Sequence, residues 1–187
     1  MLPEITIPND RKIRLAIVGC GRISKNHFGS IEKHNDQVEL VAICDINKKV
    51  LDEHASKYEV NAYLYMHEML EKEDLDLIVL CTPSGIHAQQ TVLAEKHKVN
   101  VMTEKPMATR WQDGQSMVKA CDEAGVYLFV VKQNRRNTTL QLLKQAVDGK
   151  RFGRIHMVHL NVFGRARRNI MTRPNGGVHG SSMVGRS

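Results

Sequence analysis

Short apolar runs alternate with helix-forming segments along most of this chain, and that alternation constrains its fold more than any other feature. Ile13–Val18 (I-R-L-A-I-V), Val38–Cys44 (V-E-L-V-A-I-C), Ala62–Tyr65, Leu75–Cys81 (L-D-L-I-V-L-C), Val99–Met102 and Val126–Lys132 (V-Y-L-F-V-V-K) read as six strands. Ser24–His34, Asn47–Tyr58, Met66–Lys72, Ile86–Lys98, Thr109–Ala124 and Thr138–Asp148 read as helices, the last two stopped by Gly125 and Gly149. Strands joined through helical crossovers pair in parallel, so the expected fold is α/β: a doubly wound parallel sheet of the Rossmann kind. Behind a linker at Gly149–Arg154, Ile155–Phe163 (I-H-M-V-H-L-N-V-F) alternates apolar and polar residues. It reads as a seventh strand, the first of a second domain. The expected organisation is one doubly wound domain over residues 10–150, the start of a second domain over 151–163, and a tail over 164–187.

Composition excludes several function classes. With 187 residues, 42% hydrophobic and 25% charged, the chain has the make-up of a globular domain and not of a disordered or fibrous one. No apolar run approaches the roughly 20 residues needed to cross a bilayer, and Met1–Arg14 lacks the pattern of a secretion signal. Cys20, Cys44, Cys81 and Cys121 are widely spaced with no C-x-x-C pair, as expected of reduced thiols in the cytoplasm. The net charge of +7 raises the question of nucleic acid. Arg165, Arg167, Arg168, Arg173 and Arg186 contribute five of the 27 basic side chains to the tail, which holds none of the 20 acidic ones. The basicity belongs to that tail and not to a folded face, so neither nucleic acid nor membrane is expected as a partner.

Four loops at strand ends carry the chemistry. Gly19-Cys20-Gly21-Arg22-Ile23-Ser24 lies between the first strand and the first helix. Its first glycine permits a tight turn, its second lets the backbone approach a pyrophosphate, and the helix start offers N–H groups to the anion. Ser24 takes the third, small position. Asp45 follows 24 residues after Gly21 at the end of the second strand, where an acid accepts ribose hydroxyls and disfavours a 2′-phosphate, selecting NAD over NADP. The plain alternative is a glycine turn with Asp45 capping a helix. Thr82, Pro83 and His87 stand at the end of the fourth strand as a cofactor lining, or as a loop capping the next helix. Glu104-Lys105-Pro106 follows the fifth strand. A lysine beside an oxidised nicotinamide has its pKa lowered by desolvation and the ring charge, and can help take the substrate hydroxyl proton as hydride leaves; a lysine on a loop is otherwise usually just solvated. Asn134, Arg135 and Asn137, in the loop after the sixth strand, suit an anionic, hydroxyl-rich substrate, or form a polar turn with Asn137 as helix cap.

V-G-C-G-R-I, C-T-P-S-G-I-H and T-E-K-P, in that order, resemble the glucose–fructose oxidoreductase/inositol dehydrogenase family of NAD(P)-dependent sugar oxidoreductases. Within it, Val130–Asn137 (V-V-K-Q-N-R-R-N) and Arg151–Phe163 resemble the UDP-N-acetylglucosaminuronate 3-dehydrogenases of lipopolysaccharide O-antigen synthesis. Such enzymes oxidise a sugar C3 hydroxyl to a 3-keto group. The resemblance, over residues 10–163, implies NAD as cofactor, a UDP-sugar uronate as substrate and Lys105 as the catalytic residue. It also implies that Gly19, Gly21, Arg22, Ile23, Asp45, Thr82, Pro83, His87, Glu104 and Lys105 contact or border the cofactor. Lys105, Asn134, Arg135 and Asn137 would meet the substrate.

The likeness stops at Gly164. Family members continue W-T-R-P toward a G-G-A-F-M segment and a catalytic histidine. Back-translated with suitable codons and read from the last base of the Phe163 codon, the tail becomes W-T-R-P-Q-E-Y-Y-D-Q-A-K-W-R-G-T-W-E-F-D-G-G-A-F, which resembles that continuation. The sequence therefore leads one to expect a one-base deletion near Phe163, a basic disordered tail, a missing catalytic histidine, and loss of the interface through which family members form homo-oligomers. On that expectation the chain is either a dehydrogenase or an inactive NAD-binding fragment.

Overall fold

The computed structural model describes residues 10–161. They form six strands, β1 (Ile13–Val18), β2 (Val38–Cys44), β3 (Asn61–Tyr63), β4 (Leu77–Leu80), β5 (Asn100–Thr103) and β6 (Leu128–Val130). Between and after the strands lie α1 (Ser24–Lys33), α2 (Lys48–Tyr58), α3 (Met66–Lys72), α4 (His87–Lys96), α5 (Trp111–Ala124) and α6 (Thr138–Asp148). Short 3-10 turns at Ser84–Ile86 and Gln133–Arg136 precede α4 and α6. All strand pairs are parallel, and the sheet order is β3-β2-β1-β4-β5-β6. This is the doubly wound sheet the sequence predicts.

The pleat explains why the central strands read as unbroken apolar runs. Leu15 and Ile17 of β1 pack with Phe28 of α1 and Leu51 of α2 on one face. Ala16 and Val18 join Met69 and Leu70 of α3 and Ala94 of α4 on the other. A strand covered on both sides must be apolar at every position. The flanking strands β3 and β6 are only three residues long and partly exposed, and β3 (N-A-Y) carries a polar residue. Asn47 starts α2 by accepting the Val50 N–H at 3.3 Å, and the left-handed Gly125 ends α5, both as their positions in the sequence suggest.

The chain divides into one compact unit ending at Val131 and a second beginning at Lys132. β6 is the last strand of the sheet, and the division falls between it and α6. In the second unit Asn137 caps α6 by accepting the Thr139 N–H at 3.0 Å. The seventh strand expected over Ile155–Phe163 is not formed at 155–161, which carry no ladder and are exposed. Alternation gives a segment the character of a strand, but ladder hydrogen bonds require a partner strand, and none pairs with it among the described residues. Residues 162 and 163 and the tail at 164–187 lie outside the described residues.

Candidate functional site

Strand order reverses between β1 and β4, and open α/β sheets bind ligands at the carboxyl ends of the strands beside such a point. The two fingerprint glycines do different work there. Gly19 has φ +93°, and a Cβ on it would lie 2.9 Å from the Cys81 carbonyl carbon. Only glycine lets the turn leave β1 so close to the end of β4. Its N–H donates to the Cys44 carbonyl at 2.7 Å, joining the turn to β2. A Cβ on Gly21, in contrast, would meet nothing within 4 Å. The backbone there faces open space, as a close approach by a ligand requires. Ser24 is fully buried where α1 meets the sheet, and its hydroxyl donates to the Gly21 carbonyl at 2.7 Å. The first turn of α1 holds no acidic residue, so the N–H groups and positive dipole end beside Gly21, Arg22 and Ile23 favour an anion.

Asp45 braces this loop. One carboxylate oxygen accepts the Cys20 N–H at 2.7 Å and the other accepts the Asn47 N–H at 2.8 Å. Each oxygen has two acceptor positions, so capacity remains for hydroxyl donors. Cys20, Cys44 and Cys81 surround the loop as buried free thiols. Burial, reinforced by neighbouring acids, pushes each up to about 12, which keeps them protonated and unreactive.

The loops after β4 and β5 complete the edge. The Thr82 hydroxyl donates to Gln90 Oε1 at 2.5 Å, and Pro83 is exposed beside it. The carboxylate of Glu104 is buried: Oε1 lies 2.8 Å from His27 Nε2 on α1, and Oε2 accepts the Lys105 N–H at 3.2 Å. Lys105 itself is exposed and is followed by a cis peptide to Pro106. His87, a candidate cofactor neighbour on sequence grounds, is instead fully buried beneath both loops. Its Nε2 lies 2.9 Å from the Thr82 carbonyl, and its Nδ1 lies 2.9 Å from Thr103 Oγ1 and 3.2 Å from the Pro106 carbonyl. Its ring borders the site from below and presents no surface to a ligand, because three polar partners on converging loops enclose it.

Gly19, Gly21, Arg22, Ile23, Asp45, Thr82, Pro83, Glu104 and Lys105 therefore lie on the loops at the carboxyl ends of β1, β2, β4 and β5. Asn134, Arg135 and Asn137 belong to the second unit. There the Arg135 carbonyl accepts from the Gln141 side chain and the Asn134 carbonyl accepts the Asn137 N–H at 3.0 Å. His27 and Gln90 escaped the sequence reading. His27 sits one helical turn after the fingerprint, but its partner is 77 residues away, a distance no local pattern reveals.

Residues 13–132 match the oxidoreductase family with an NAD-binding Rossmann fold (GFO/IDH/MocA). The chain belongs to this family. Among solved family structures, the WlbA dehydrogenase from Bordetella pertussis, in complex with NADH and UDP-GlcNAcA, is 54% identical with a TM-score of 0.76, over 78% of this chain and 45% of that one. The WlbA dehydrogenase from Chromobacterium violaceum, with the same two ligands, is 53% identical with a TM-score of 0.78, over 82% and 45% of the two chains. The myo-inositol 2-dehydrogenase of Thermotoga maritima is 28% identical over 79% of this chain and 44% of its own length. The chain thus spans less than half the length of these relatives. Among the described residues no helix is long and apolar enough to cross a membrane.

Proposed function

We propose that this chain supplies the cofactor half of an NAD-dependent sugar-nucleotide dehydrogenase resembling UDP-N-acetylglucosaminuronate 3-dehydrogenase. Residues 10–150 form its NAD-binding domain and 151–163 begin a substrate domain. The observation that carries the reading is the contrast between the two glycines, one packed against β4 and the other open to a ligand beside the start of α1. Gly21, Arg22 and Ile23 would hold the pyrophosphate, and Asp45 the adenosine ribose. Thr82, Pro83 and Glu104 would line the nicotinamide end. Bound NAD would supply the hydride acceptor. Lys105, exposed on its loop, would hydrogen-bond the C3 hydroxyl of a UDP-sugar uronate and take its proton as the 3-keto product forms. Asn134, Arg135 and Asn137 would grip the anionic substrate, their role being inferred from residue type. The 53–54% identity to proteins solved with NADH and UDP-GlcNAcA supports the substrate class. Reduced buried thiols fit work in the cytoplasm, in lipopolysaccharide O-antigen synthesis.

A second reading, NAD binding without turnover, is favoured by one observation. Residues 155–161, where a substrate domain would begin, form no ladder. In this reading the reacting hydroxyl is not held in register with the nicotinamide. Titrating NAD into the purified chain by calorimetry, then adding UDP-N-acetylglucosaminuronate and following NADH absorbance, separates the two. Binding with NADH formation supports the dehydrogenase, and binding alone supports the fragment. An absence of binding overturns both.

A further inference from the structure

The Glu104–Pro106 loop is held on both sides of its lysine by histidines from two different helices. From α1, His27 reaches across with its side chain only 15% exposed, and its Nε2 lies 2.8 Å from Glu104 Oε1, on a side chain 10% exposed. A carboxylate oxygen can only accept here, so Nε2 carries the proton and donates. The other carboxylate oxygen accepts the Lys105 backbone N–H. Glu104 is therefore a two-ended strut between α1 and the backbone of Lys105. The Glu104 N–H, in turn, donates to the Leu80 carbonyl at 3.1 Å, anchoring the loop to β4.

From α4, His87 acts from beneath. Its Nε2–H donates to the Thr82 carbonyl. With the ring neutral, Nδ1 accepts the Thr103 hydroxyl, just ahead of Glu104. With a proton on Nδ1, the ring donates to the Pro106 carbonyl, just past Lys105. In either state the ring ties the β4 loop to the β5 loop.

We propose that His27 and His87 are positioning residues that bracket Lys105, fixing the backbone from which its otherwise free side chain reaches substrate. This rests on the reading of Lys105 as the catalytic residue. The arrangement gives α1 two jobs. Its N-terminus faces the candidate pyrophosphate position, and one turn later it holds the lysine loop. A shift of α1 on the sheet would thus move both the cofactor and the lysine, and displacement of a reacting group by about 1 Å can cost a hundredfold in rate. His87 makes the matching connection between the loop carrying Thr82 and Pro83 and the loop carrying Lys105.

The test uses residue-resolved amide hydrogen exchange on the full chain, because the Lys105 N–H is itself one of the bracket's bonds. His27→Ala and Glu104→Ala should each speed exchange at Lys105 by about tenfold, the size set by one charge-assisted hydrogen bond. Amides of Ile17 in β1 and Val79 in β4 should keep their wild-type rates. His27→Gln places an amide donor near the same position and should restore protection at Lys105. His27→Ala should also weaken NAD binding, and His27→Gln should restore it. Unchanged exchange at Lys105 in His27→Ala overturns the proposal. So does acceleration spread equally over β1 and β4, which would make His27 a general support of the fold. His87→Phe removes a buried polar group with three partners and carries the risk of misfolding, so the His27 series decides. If the wild-type chain fails to bind NAD, the proposed function falls, while the exchange pattern still decides whether the bracket exists.

Discussion

At the amino ends of β1 and β4, polar groups are consumed by one another. Arg11 donates to both oxygens of Asp76 at 2.5 and 2.7 Å, the Arg14 N–H adds a bond at 2.8 Å, and the Arg14 side chain reaches the Asp74 carbonyl. At the opposite edge of the sheet, beyond the carboxyl ends of β1, β2 and β5, the balance is different. Cys20, Asn47 and Lys105 N–H groups and His27 occupy part of the Asp45 and Glu104 carboxylates, yet Gly21 faces open space and Lys105 is exposed. One end of the sheet closes on itself and the other is braced from behind while its front stays open. Internal pairing stabilises a fold, whereas a binding edge needs its donors rigid and uncommitted.

Substitutions can break that contrast, starting with the most damaging. Gly19→Ala forces a side chain into a positive-φ turn against the Cys81 backbone. It should cost about 3 kcal/mol in a denaturant melt and abolish NAD binding. Gly21→Ala should leave stability within about 0.5 kcal/mol, because its Cβ meets no protein atom. The same change should weaken NAD by about tenfold or more in a calorimetric titration, because the methyl occupies the ligand's approach. If instead Gly21→Ala destabilised the chain as Gly19→Ala does, the division of labour between the glycines would be wrong.

Asp45→Asn should lower the preference for NAD over NADP by about tenfold, measured as a ratio of affinities, because the charge opposing a 2′-phosphate is gone. Asp76→Asn, at the closed end, should leave NAD affinity unchanged. Its effect is on stability and depends on pH. The Arg11 guanidinium, helped by the Arg14 N–H, holds the Asp76 carboxyl below the usual carboxylate range. A depressed carboxylate contributes stability above its unfolded value, near 3.9, and loses that contribution as pH falls through its folded value. The variant should therefore be slightly less stable than wild type at neutral pH, and the two should converge in acid. The gap is small because the pair is partly exposed.

Much of this was legible from local pattern. Gly19, Gly21 and Asp45 could be placed at the ends of β1 and β2 because their positions depend on spacing along a single strand–turn–helix–strand unit. The strut from His27 to Glu104 was hidden, since it joins residues 77 apart that only the folded sheet brings together. His87 was expected to contact or border the cofactor, and its full burial was hidden, because sequence shows that a histidine follows a strand and not whether its ring points out or under. Ile155–Asn161 was misjudged for another reason: alternation is a property of a segment, while a strand is a property of a pair. The amphipathic α6 makes a related point. Its apolar residues Leu140, Leu142, Leu143 and Val147 stand exposed, so periodicity foretold the helix but not its burial.

The most direct test of the open edge is to map backbone amide shifts by NMR while NAD is added to the chain. The account predicts changes at Gly19, Gly21, Ser24, Asp45, Thr82 and Lys105, with Arg11, Arg14 and Asp76 unmoved. Shifts centred on Arg11 and Asp76, or none at saturating NAD, would contradict it.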